Sequence, residues 1–97
     1  MQDEFAEYAI IFKAMSDETR LKILAMLTKG VTCACHILEE FHFTQPTLSY
    51  HMKQLTDSGL IVANKKGKWV YYSMNKERMK LLHEYISKLI ETNIELS

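Results

Sequence analysis

A chain of 97 residues makes one domain whose core is marginal alone, and 47% apolar residues exceed what so small a monomer can hide, so a homodimer is expected. Twelve basic and twelve acidic side chains cancel overall, yet residues 41 to 74 hold Lys53, Lys65, Lys66 and Lys68 against Asp57 alone, leaving that stretch at +3 and the rest at −3. No run approaches the roughly 18 apolar residues of a membrane span, and the start, Met1-Gln2-Asp3-Glu4-Phe5, lacks the basic head of a signal peptide, which argues against a membrane protein and for the cytoplasm.

Phe5, Tyr8, Ala9 and Phe12 follow helical spacing, and Ile10 and Ile11 widen the apolar surface, so the first helix is expected to be covered on two sides. Ser16 is read as the cap of a second helix, with Asp17 and Glu18 in its first turn, Leu21, Leu24 and Leu27 facing inward, and Gly30 as its stop. A short third helix fits Cys35 to Phe41. Thr44 offers its hydroxyl to a fourth, which tolerates Pro46 in its first turn and ends at Gly59.

From Leu60 the period changes. Leu60-Ile61-Val62-Ala63, then Asn64-Lys65-Lys66-Gly67-Lys68, then Trp69 to Met74 read as strand, turn and strand, a hairpin with a basic tip. Asn75 caps a last helix whose Met79, Leu82, Ile86, Leu89 and Ile90 form an apolar stripe, widened by Leu81 and Tyr85. The predicted fold is mainly α with a small β-hairpin, a winged helix-turn-helix of about five helices and a two-stranded wing. Residues 33–58 form the helix-turn-helix and 60–74 the wing, while residues 1–15 and 76–95 are the segments through which two copies pair.

Two features carry chemistry. Cys33 and Cys35 stand immediately before the helix-turn-helix, and a thiol pair is a ligand for a soft metal or metalloid. Side chains two apart inside a helix point about 200° from each other, so both can reach one atom only from the start of the third helix, where open amides favour anionic sulfur. A bridge across so short a loop is a poor disulfide, and reduced thiols are expected. The second feature is the first turns of the fourth helix, where Gln45, Thr47, Ser49 and Tyr50 can read base edges, with His51 and Lys53 at phosphates and Lys65, Lys66 and Lys68 along the backbone or in the adjacent minor groove. Leu48, Met52 and Leu55 belong to the core.

Ser16-Asp17-Glu18-Thr19-Arg20-Leu21, Cys33-Ala34-Cys35, Gln45 to Met52 and Lys66-Gly67-Lys68, taken in that order, make the chain resemble the ArsR/SmtB family of metal-responsive repressors from about Phe12 to Met74. The resemblance implies a dimer that binds an inverted-repeat operator without any cofactor and leaves it when a metal or metalloid binds. Cys33 and Cys35 look like the arsenite site of that family, which makes arsenite or antimonite the implied inducer. The related cadmium and lead sensors add thiols from an amino-terminal segment, and no cysteine or histidine precedes Cys33 here. Zinc sensors use the last helix, which offers His83 and Glu84 but no second histidine. Leu38 stands where some arsenite sensors supply a third cysteine, so water, hydroxide, a small thiol or His36 must complete the site, and Tyr50 replaces the basic residue or histidine usual in the family.

Other readings stay open. The thiols can sense cadmium, lead or oxidants, or can be small buried side chains in an inducer-independent DNA-binding module. Thiol-disulfide enzymes favour Cys-x-x-Cys beside a βαβ pattern, which is absent here, and no other catalytic constellation is apparent, so an enzyme is not expected.

Overall fold

Five side chains that accept hydrogen bonds start the five helices found among the described residues, 3–93 of the computed structural model. Asp3 begins α1 (Glu4–Met15), Asp17 α2 (Glu18–Leu27), Cys33 α3 (Ala34–Phe41), Thr44 α4 (Gln45–Asp57) and Asn75 α5 (Lys76–Ile90). Each accepts from an amide of the first turn, which otherwise has no partner within the helix. Residues 1, 2, 94 and 95 of the expected pairing segments lie outside the described residues.

Two expectations for α2 are corrected. Ser16 does not cap it; Ser16 closes α1, its hydroxyl donating to the Lys13 carbonyl at 3.2 Å, and Asp17 takes the capping place. Nor does Leu21 face inward, being 49% exposed. The inward face runs through Arg20, Ile23, Leu24 and Leu27, and a leucine one position after Arg20 is turned about 100° away from it.

Between α2 and α3 the chain forms β1 (Thr32–Cys33), which sequence patterning does not reveal because two residues carry no period. It joins β2 (Ile61–Lys66) and β3 (Trp69–Met74) in an antiparallel sheet of order β1-β3-β2, with Thr32 opposite Tyr72 and Cys33 opposite Tyr71. Lys66 pairs with Trp69 across the wing turn, and Gly67 there has φ +62°, the left-handed conformation a two-residue hairpin loop requires.

The core lies where α1, α2, α3, α4 and the base of the wing meet, around Ile11, Ile23, Leu27, Ile37, Met52, Leu55 and Leu60, all 2% exposed or less. Leu82 anchors the first half of α5 to it. Beyond Leu82 the apolar stripe runs off the core, and Ile86, Leu89 and Ile90 face outward. On α1 the buried residues are Ile11 and Ala14, while Phe5, Tyr8 and Phe12 gather round Tyr85 of α5, with the Tyr8 and Tyr85 rings stacked at 4.5 Å. The two-sided covering expected of α1 is thus half core and half partly open aromatic seam.

Candidate nucleic-acid interface and thiol site

Packing of α4 through Leu48, Met52 and Leu55 turns Gln45, Thr47, Ser49, Tyr50 and Lys53 outward on the opposite side. Thr47 is tied into the cap, its hydroxyl 3.0 Å from that of Thr44. Lys53 is paired with Asp57 at 3.0 Å, one turn along, but both side chains are well exposed, and such a pair is worth a few tenths of a kcal/mol, about what an exchange for phosphate must overcome. Lys65, Lys66 and Lys68 lie exposed at the wing, the Lys68 ammonium 5.5 Å from the Trp69 ring centre. Trp69 is itself half exposed beside these lysines, and the apolar run of β3 gave no sign of it.

His51 is placed differently from its neighbours. Its side chain is 13% exposed, lies 5.6 Å from the Phe43 ring, and its Nδ1 accepts from the Nη1 of Arg20 at 3.2 Å. Little of it is presented to a phosphate. Arg20, which sequence reading passed over, is 8% exposed and is the residue that draws His51 inward. Its signal was available: an arginine on the inward face of α2 three residues after a capping aspartate.

The thiol site is built by the junction of β1 with α3. Cys33 has extended backbone (φ −69°, ψ 140°) and Cys35 lies in the first turn, so their Cα atoms are 5.2 Å apart and the sulfurs stand side by side. This is the start-of-helix placement the spacing demanded. The change from extended to helical backbone between Cys33 and Cys35 removes the opposition they would have inside a helix and brings the two sulfurs into contact; as thiols they can close on one ligand atom. The Cys35 amide also donates to the Cys33 sulfur at 3.2 Å, so sulfur occupies the capping position. Cys33 is half-buried and Cys35 exposed, which leaves the pair open to a small ligand.

As reduced thiols both sulfurs fit a soft ligand, and no group of three or more His, Cys, Asp or Glu side chains gathers among the described residues to hold a metal ion. His36 lines a depression with Met26, Lys29, Thr32 and Glu40, and His83 one with Met74, Lys76, Met79 and Lys80. Among the described residues no helix is long and apolar enough to cross a membrane.

Residues 17–62 match the family described as bacterial regulatory protein, arsR family. The chain is 42% identical over 80 residues to the arsenical resistance operon repressor of Staphylococcus xylosus, covering 82% of this chain and 77% of that one. It is 45% identical over 74 residues to the protein of the same name from Bacillus subtilis, covering 75% and 70%. The crystal structure of an ArsR family transcriptional regulator superposes with a TM-score of 0.84 at 25% identity, covering 94% of each chain. A homodimeric winged helix-turn-helix DNA-binding domain from Mycobacterium bovis shares the fold with a TM-score of 0.73 at 23% identity, covering 94% of this chain and 84% of that one. With its winged helix-turn-helix and these relatives, the chain belongs to the ArsR family of bacterial transcriptional regulators, which are DNA-binding proteins and not enzymes.

Proposed function

We propose that this protein is the repressor of a metalloid-resistance operon, a homodimer that holds an inverted-repeat operator in double-stranded DNA and releases it when arsenite or antimonite binds Cys33 and Cys35. The observation that carries the reading is the side-by-side placement of the two sulfurs at the start of α3, next to the DNA-binding unit. Relatives named for arsenical resistance support it. The two sulfurs supply soft donors, and water, hydroxide or a small cellular thiol completes a three-coordinate site, since Leu38 offers no donor.

On the DNA side, Gln45, Thr47, Ser49 and Tyr50 read bases from the major groove, and Lys53, Lys65, Lys66 and Lys68 meet phosphates. Signal and DNA surfaces are mechanically close. Cys33 caps α3, which packs near α4, and pairs with Tyr71 of β3, whose other neighbour is the lysine-bearing β2. Seating both sulfurs on one ligand atom repositions the first turn of α3 and the β1 edge together, disturbing the recognition helix and the wing. Release requires that the ligand prefer the conformation with low DNA affinity.

The closeness of the two sulfurs supports one second reading, in which thiol oxidation is the signal. A single experiment tests both: anisotropy of labelled DNA from upstream of the gene, bound by reduced protein and titrated with arsenite, cadmium, zinc or peroxide, for wild type and Cys33→Ser. Release by arsenite that the variant loses is expected. Release by peroxide alone transfers the function to oxidation, and equal operator binding with and without arsenite refutes the metalloid reading.

A further inference from the structure

Arg20 is a buried charge with no assigned role in DNA binding. It sits on the inward face of α2 beside Ile23, Leu24 and Leu27, and a guanidinium withdrawn from water must be matched by acceptors, because an uncompensated buried charge is strongly destabilising. Two acceptors from two different helices meet it. Its Nε donates to the Ala14 carbonyl, in the last turn of α1, at 2.6 Å, and its Nη1 donates to Nδ1 of His51, in the middle of α4, at 3.2 Å. The same guanidinium lies 6.0 Å from the Tyr50 ring centre. Asp17 faces the group from the start of α2, its carboxylate 4.0 Å from His51 Nδ1 and 3.0 Å from the Arg20 amide.

Nδ1 of His51 thus confronts a cation and an anion, and the nearer one fixes its role. A guanidinium can only donate, and 3.2 Å is hydrogen-bond distance whereas 4.0 Å is not. Nδ1 therefore keeps its lone pair, and the ring proton of the neutral imidazole resides on Nε2.

We infer that Arg20 is a positioning residue for DNA binding, clamping the recognition helix α4 to α1 through His51 so that Gln45, Ser49 and Tyr50 are presented in one orientation. The inference rests on α4 being the DNA-contacting helix and is independent of the inducer. Leu48, Met52 and Leu55 hold α4 by apolar contacts, which are non-directional and leave its roll about its own axis weakly specified. The Arg20 fork supplies the direction, one arm in each helix. Lysine, with a single point of charge, cannot span Ala14 and His51 in the same way.

The test compares the intact chain with its Arg20→Gln, Arg20→Lys, His51→Asn and His51→Leu variants, measuring affinity for DNA from upstream of the gene across a range of salt, with folding followed by circular dichroism. The two Arg20 variants are expected to bind about tenfold or more weakly, the order of one lost hydrogen bond to a charged group. Their salt dependence stays that of the wild type, because no phosphate contact is removed. His51→Asn, whose carbonyl oxygen can accept from Arg20, retains affinity, and His51→Leu loses it. Nitrogen NMR of His51 at about pH 8, above the ordinary histidine range, shows the Nε2–H tautomer in wild type and a mixture in Arg20→Lys.

Folded Arg20 variants that bind like wild type overturn the inference, as does a salt slope that falls by about one, the mark of a direct phosphate contact. Should Arg20→Gln fail to fold, the histidine pair decides: Asn no better than Leu, or a wild-type ring protonated on Nδ1, overturns it. A wild type that binds no operator removes the DNA reading and the clamp together, whereas a wild type that binds beside indifferent variants removes the clamp alone.

Discussion

Asp17 shows how much one side chain can be asked to do. It caps α2, faces His51, and has its carboxyl held below the usual carboxylate range, chiefly by the hydrogen bond from the Arg20 amide, which outweighs the opposing desolvation and is aided by the charge of Arg20. A lowered folded-state pKa means that the ionised form is favoured by folding. The stability it contributes is complete above the unfolded value of about 3.9 and is lost as pH falls through the folded one. Asp17→Asn keeps a capping oxygen but removes the charge, so urea midpoints of wild type and variant should differ at neutral pH and converge in acid. A difference that persists unchanged as pH falls through the acid range would mean that the charge is not its source. Gly59 is a second single-residue constraint: with φ +83°, a Cβ there would lie 3.0 Å from Arg78 Nε, which itself donates to the Ser58 carbonyl. The end of α4 and the start of α5 are fastened at that point.

At the level of elements, the proposed function divides the work of holding DNA between α4 and the wing. In that proposal helix α4 offers short polar side chains to base edges, whereas β2 and the turn offer lysines, which carry charge but no base-specific geometry. Lys66→Ala is therefore expected to weaken binding to operator and random DNA alike and to lower the slope of log affinity against log salt by about 0.9, one phosphate contact. Ser49→Ala should change the ranking among operator variants and leave that slope intact. Gel shifts at several salt concentrations separate the two, and equal losses for Ser49→Ala on operator and random DNA would remove it from base reading. Strand β1 gives the wing a tie to the thiol site that a free hairpin would lack, through Cys33 opposite Tyr71.

The whole molecule is elongated. Its Cα radius of gyration is 15.9 Å, against about 12.5 Å for a compact chain of this length, and its longest dimension is 61 Å. At one end the second half of α5 stands out with Leu89 54% and Ile90 77% exposed, and nearer its middle Tyr85 meets the exposed Phe5 and Phe12 of α1. Apolar surface gathered in this way on two neighbouring helices fits a two-fold seam with a second copy. Leu89→Glu places a charge in that seam and should yield monomers in sedimentation equilibrium, with operator affinity falling because a monomer holds one half-site. A variant that remains dimeric and binds normally would move the seam elsewhere.

Helix existence, the hairpin and the outward polar face of α4 were legible because each has a local cause: capping residues at Thr44 and Asn75, glycine at the wing turn, and apolar residues at 48, 52 and 55. The need for Cys33 and Cys35 to sit at a helix start was equally local, since it follows from the helical repeat alone. Sequence patterning was silent on β1, because two residues become a strand only when Tyr71 and Tyr72 supply their partners. It misassigned the cap of α2 because Ser16 and Asp17 are both good caps, and the choice depends on where α1 ends. Above all, it could not distinguish a solvated His51 from one drawn inward, because its partner Arg20 lies 31 residues away and the two meet only when α2 and α4 pack on the same core.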